Sequence, residues 1–203
     1  ALYYYQIARR HKVSLLHFNN GFLHIPWLLA AKMLQIPCVS HLRGFLDVDS
    51  STMLLARLVD HHVAISLSVR ENLLEMGVPK NEITVVHDGI DHDEFNMDID
   101  YSYLLREFGL SYDVPTYGIF GRIVEWKGIR EFISAARLIA EMVPEAKGFV
   151  VGDHSDGEEK YFQNMKRLSR DFKLEKKLYF TGYRQDVSAM MAMMDVVVHA
   201  SNE

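Results

Sequence analysis

The 203-residue chain has almost no cysteine: Cys38 stands alone in the apolar run "IPCVSHL". One thiol cannot close an internal disulfide, and a lone buried thiol fits a reducing compartment. No unbroken apolar run reaches the roughly 18 residues of a membrane-spanning helix, and no signal-peptide pattern is present. Positive charge is not in excess. Lys and Arg number 22 against 27 Asp and Glu, a net charge of -5. That excludes a globally basic nucleic-acid binder but leaves room for local basic sites. Two phosphate fingerprints are missing. A Walker loop ends Gly-Lys-Ser/Thr, whereas Lys127 is followed by Gly128 and Ile129. The nearest approach to G-x-G-x-x-G is "GDHSDG" at 152–157, without its middle glycine. No internal repeat and no low-complexity segment stands out.

What is present is a chain that can bury a core, with 49% hydrophobic residues. Apolar runs at 13–18, 37–42, 62–66, 83–87, 116–120, 147–151, 177–181 and 195–200 are rich in β-branched and aromatic residues. Being mostly apolar, they suit parallel strands covered on both faces. Helical patterns fall between them. In "SVRENLLEMGVP", Ser68 and Glu71 have capping-box spacing, with Gly77 as a stop and Pro79 beyond. Ile129, Phe132, Ile133, Ala136, Ala140 and Val143 form one helical face, and 157–172 and 186–194 also read as helices. Repeated strand–helix–strand units predict a doubly wound α/β architecture with right-handed crossovers. The rhythm breaks in the acidic stretch 91–113. We therefore expect a first domain over 1–92, a connection over 93–112 and a second domain over 113–203. The chain opens on Ala1 in a helix-like stretch and stops at Glu203 just after an apolar strand, so both ends read as cut from a longer protein.

The most informative stretch is "GIFGRIVEWKG" at 118–128. A strand ends at Gly121, two cations follow, and a helix starts after Gly128. Ligands of open α/β sheets bind outside the carboxyl ends of the strands. Arg122 can fork onto two oxygens and Lys127 acts as a point charge. The helix start adds free N–H groups, and the glycines permit close approach. The pattern points to an anion with several oxygens, such as a diphosphate; the plainer alternative is a pair of solvated surface cations.

Five stretches in order resemble the retaining nucleotide-sugar glycosyltransferases of the GT-B fold, the family 4 or group 1 type. "VVHDGIDHDEF" (85–95) is similar to the family's "NGID…F" segment and "FGRIVEWKG" (120–128) to its "GR…KG" segment. "FVVGD" (149–153), "YFTGYRQDV" (179–187) and "DVVVHAS" (195–201) follow in register. The resemblance implies two Rossmann-like, doubly wound parallel-sheet domains, both incomplete here, with the donor in the cleft of such enzymes. It assigns Gly121, Arg122 and Lys127 to the diphosphate, and the turn Gly182, Tyr183 and Arg184 to the nucleobase or ribose. It assigns His41 to the vicinity of the transferred sugar. Glu203 would be the first of a glutamate pair eight positions apart, or a residue shortly before it, and the resemblance makes His41 and Glu203 the catalytic residues. Asp88 departs from the pattern, standing where the family usually carries Asn. The implied reaction is transfer of a hexose-like unit, with retention, from a nucleotide-diphosphate sugar to a sugar, lipid-linked or polysaccharide hydroxyl, in glycan or cell-envelope synthesis. No metal and no cofactor beyond the nucleotide-sugar co-substrate is implied, and no nucleic-acid partner. The implied location is cytoplasmic, with room for peripheral contact at the inner face of a membrane. Alternatives are an epimerase or hydrolase on the same architecture, or a non-catalytic nucleotide-sugar-binding domain.

Other clusters carry less. His87, Asp91, His92, Asp93 and Glu94 offer metal-ligand types, but a polar loop explains them more simply. Residues 166–177 hold six cations in 12 positions, broken by Asp171 and Glu175. They could touch anionic lipid, although the mixed signs favour a solvated helix face. Met190, Met191, Met193 and Met194 read as adaptable core packing.

Overall fold

A computed structural model describes residues 1–96 and 98–202. The chain divides into two compact units, Ala1–Gly89 and Ile90–Glu203.

The first unit is built from helix α1 (Leu2–Arg10), strand β1 (Leu16–Asn19), helix α2 (Ile25–Leu34) and strand β2 (Cys38–Leu42). Helix α3 (Ser50–Ala56), strand β3 (His61–Ala64), helix α4 (Leu67–Glu75) and strand β4 (Ile83–Val85) complete it. Its sheet is parallel throughout, in the order β1-β2-β3-β4. Phe22, Leu28, Cys38, Leu42, Leu73 and Met76 form its core. Two helix starts show the local logic. Asp49 caps α3, accepting from the Thr52 amide at 2.7 Å, and that bond with the one from Ser51 lowers its carboxyl to about 2. The cap of α4 is Ser66, whose hydroxyl accepts from Val69 N at 3.2 Å. This corrects the expected box: Ser68 lies inside the helix, because the chain turns helical two residues earlier. Gly77 does stop the helix, with φ +80° and its amide donating to Leu74 O.

The second unit holds helix α5 (Ser102–Phe108), strand β5 (Thr116–Phe120), helix α6 (Ile129–Met142) and strand β6 (Lys147–Val151). Helix α7 (Glu159–Asp171), strand β7 (Leu178–Gly182), helix α8 (Val187–Ala192) and strand β8 (Val196–Val198) follow. The sheet is again parallel, in the order β7-β6-β5-β8. Strand β6 shows why these runs are so largely apolar, from Gly148 to Val151 in its case. Val150 packs in one core layer with Ile133 of α6 and Met165 of α7, while Phe149 and Val151 pack in another with Leu105 of α5 and Met190 of α8. Successive side chains point to opposite faces, and both faces are covered. Met190, Met193 and Met194 are buried in the second layer. The acidic stretch 93–112 contains α5, whose Leu104 and Leu105 belong to that same layer.

Candidate functional site

The carboxyl end of the second sheet is assembled main chain to main chain. Gly121 N donates to Val151 O (3.0 Å), Ile123 N to Asp153 O (2.9 Å) and Gly152 N to Gly182 O (3.0 Å). The turns after β5, β6 and β7 are thereby tied edge to edge. Glycine is required where they meet. Gly152 has φ +136°, and a Cβ there would lie 2.0 Å from Gly121 O. These turns surround a cavity of about 510 Å³ lined by Phe120, Gly121, Arg122, Val151, Gly152, Asp153, His154, Ser155, Tyr183, Arg184 and Val187. Its place at the carboxyl ends of parallel strands is where α/β sheets bind ligands.

Four of the residues expected at a donor site line it: Gly121, Arg122, Tyr183 and Arg184. Gly182 precedes Tyr183 at φ +71°, and Tyr183 is 76% exposed at the rim. Lys127 stands on the loop that leaves the cavity, its Nζ 4.2 Å from the centre of the Trp126 ring, and the Arg122 guanidinium lies 5.9 Å from the same ring. Among the described residues, neither cation forms an ion pair.

Arg184 is held differently. Its Nε and Nη2 donate to Asp186, both at 2.7 Å, and Nη1 and Nη2 donate to Glu107 at 2.6 and 3.0 Å. The Tyr103 hydroxyl also donates to Asp186, at 2.7 Å. The bonds to Arg184 hold the Asp186 carboxyl well below the usual carboxylate range, and the two carboxylates push the guanidinium upward. Tyr103 is pushed up to about 12 by desolvation and by Asp186. This network ties α5 to the turn after β7 and leaves Arg184 little to offer an anion.

Sequence reasoning overlooked Asp153, His154 and Ser155 as lining residues. The signal for them was positional, since they follow β6 as Arg122 follows β5. His154 is fixed in the wall: Nε2 is 2.6 Å from Glu159, Nδ1 faces Ser155 O at 3.3 Å, and the ring packs on Phe162.

In the first unit, His41 is the penultimate residue of β2, in register with Asn19 and Val63. Its carbonyl accepts from the amides of Asn20 and Gly21, its ring stacks on His17 at 6.2 Å, and its buried Nε2 has no hydrogen-bond partner among the described residues. A cavity of about 380 Å³ lies at the carboxyl end of the neighbouring β1, lined by Asn19, Asn20, His24 and Trp27 among others and not by His41 itself. His62 is structural, buried with its ring nitrogens bonded to Ser40 and to Ala56 O. Asp88 pairs with Arg43 at 3.7 Å. Glu203 lies outside the described residues. Among the described residues no three His, Cys, Asp or Glu side chains gather as a metal site, and no helix is long and apolar enough to cross a membrane.

The comparisons match this division. The family described as "Glycosyltransferase Family 4" matches residues 1–94, and "Glycosyl transferases group 1" matches residues 106–203. The chain belongs to the GT-B glycosyltransferases. Its two parallel-sheet units are the Rossmann-like domains of that fold. Among curated GT-B relatives, an Escherichia coli enzyme is 24% identical over 96% of this chain and 53% of its own length. That relative is named UDP-Gal:alpha-D-GlcNAc-diphosphoundecaprenol alpha-1,3-galactosyltransferase. The Bacillus anthracis N-acetyl-alpha-D-glucosaminyl L-malate synthase is 25% identical over 98% of this chain and 53% of its length. The chain thus spans about half the length of the curated relatives it matches. Anabaena HepE, solved with UDP and glucose, superposes with a TM-score of 0.81 at 23% identity, over 100% of this chain and 57% of HepE. A Rickettsia africae glycosyltransferase gives 0.81 at 20% identity, over 98% and 54%.

Proposed function

We propose that the second unit holds the nucleoside diphosphate of a sugar donor. The protein would then move a hexosyl-type unit, with retention, onto a sugar, lipid-linked or polysaccharide hydroxyl in glycan or cell-envelope synthesis. The observation that carries the reading is the cavity of about 510 Å³ at the tied strand ends, with an Arg122 that forms no ion pair among the described residues. A departing diphosphate gains negative charge, and cations already fixed in place favour that state over the ground state. Arg122 and Lys127 take this role. Gly121 and Gly182 let the ligand approach the backbone, and Tyr183 offers an exposed ring to the base or ribose. Arg184 shapes the turn through Asp186 and Glu107. His41, with its unpartnered Nε2, is proposed to position the transferred sugar. The names of the relatives support the substrate class: one uses UDP-galactose and another was solved with UDP and glucose.

The test is calorimetric titration of the chain with UDP and GDP, alongside Arg122→Ala and Lys127→Ala. Each variant is expected to weaken binding about tenfold or more, the worth of a hydrogen bond between charged groups. A chain that binds neither nucleotide, or variants that bind as well as the parent, would sink the donor reading. Binding without transfer of labelled sugar to any hydroxyl acceptor would favour a non-catalytic binding module. For His41→Ala, unchanged transfer rates would remove His41 from the site.

A further inference from the structure

We propose that Trp126 is the positioning residue of the anion site. Its indole face holds Arg122 and Lys127 in place without neutralising them. The proposal rests on the donor reading above.

Two cations five residues apart in one surface turn repel each other, and free arginine and lysine side chains spread into solvent. Here both gather on one ring, Lys127 Nζ at 4.2 Å and the Arg122 guanidinium at 5.9 Å from its centre. The ring quadrupole attracts a cation and leaves its charge intact. A carboxylate in the same place would cancel the charge and would have to be displaced by an incoming diphosphate. Glu125 is the adjacent acidic residue, and among the described residues it forms an ion pair with neither cation.

The ring can serve as a platform because its backbone is fixed from behind. Residues Glu125–Lys127 form a 3-10 turn, with Lys127 N donating to Val124 O at 3.1 Å. Trp126 O accepts from Asn202 N at 2.9 Å. Gly128, at φ +70°, packs so closely on the segment after β8 that a Cβ would lie 2.0 Å from Ala200 O. Trp126 as a whole is 37% exposed, so it is not packed away in the core. Nothing in a surface turn requires tryptophan for packing, and Trp126 belongs to neither core layer of this unit.

The experiment compares Trp126→Leu, which keeps apolar bulk but has no π-face, with Trp126→Phe, which keeps the face. Calorimetric titrations use UDP and inorganic pyrophosphate. Trp126→Leu is expected to weaken both ligands about three- to tenfold, and Trp126→Phe to stay within about twofold of the parent. A leucine variant that binds like the parent, or a phenylalanine variant that loses as much as leucine, overturns the proposal. A second readout does not depend on those variants folding. In Trp27→Phe protein, Trp126 is the sole tryptophan. Its emission should change as UDP or pyrophosphate binds the cations held on the ring, with a midpoint matching calorimetry. An emission that stays constant through saturation overturns the proposal. The two failures are distinguishable: if the donor reading is wrong the parent binds neither ligand, whereas if only Trp126 is misassigned the parent binds and the leucine variant equals it.

Discussion

The turns after β5 and β7 sit on the same end of one sheet, and each carries an arginine into one cavity. Arg184 is met by two carboxylates and a nearby tyrosine hydroxyl, and only 16% of its side chain is exposed. Arg122 is exposed and rests near an indole face. The same residue type thus does two jobs. Surrounded by anions, an arginine stiffens a turn; kept from anions, it remains available to a ligand. The lesson for reading such sites is that the partners of a cation, more than its distance from a cavity, indicate which job it has.

The most drastic way to break the comparison is to separate the turns. Gly152→Ala puts a side chain at φ +136° against Gly121 O. We expect a loss of about 2–4 kcal/mol from backbone strain and overpacking together, read by chemical denaturation. Next comes a crossed pair of variants. Arg122→Ala should weaken UDP binding by about 2 kcal/mol while changing stability by less than about 0.5 kcal/mol. Arg184→Met should do the reverse, lowering stability by about 1–2 kcal/mol because Asp186 and Glu107 lose their shared partner. Its effect on binding should be the smaller of the two. If both variants behave alike, the distinction between the turns fails.

The finest test is acid. Bonding to Arg184 depresses the folded-state pKa of Asp186, so the unfolded chain takes up that proton first as pH falls. The stabilisation is complete above the ordinary carboxylate range and is lost on acidification through and below it. Arg184→Met should flatten this part of the profile by up to about 1 kcal/mol. The difference between parent and variant is the quantity to measure. His62, lowered to about 4 by burial, also weakens the fold as pH drops from its ordinary value, but equally in both proteins.

Much of the scaffold was legible from the chain. Strands such as 147–151 announce themselves by an apolar run, here Gly148 to Val151, because helices cover both faces, and the cations at 122 and 127 are flagged by strand, glycine and helix in sequence. Other features were hidden for physical reasons. Helix α2, "IPWLLAAKML", is apolar nearly all round, so it lacks the polar face that betrays a helical period. The cap at Ser66 was passed over for Ser68, because capping depends on where the backbone turns and Ser-x-x-Glu spacing alone does not fix that. The partners of Arg184 include Glu107, 77 residues earlier, a pairing that no local pattern encodes. The role of Trp126 depends on Asn202 and Ala200, which reach it only through the folded sheet.

The main-chain bonds joining Gly121, Ile123 and Gly152 to their neighbouring turns have a consequence for how such proteins diversify. Because peptide groups hold the rim together, the side chains at 122, 155 and 183 hang from it without supporting it. Evolution can exchange those positions, and with them the lining of the cavity, at little cost to folding. His154 and Arg184 are tied into the rim by their own side chains, and a lineage that alters Arg184 must alter Glu107 and Asp186 in step.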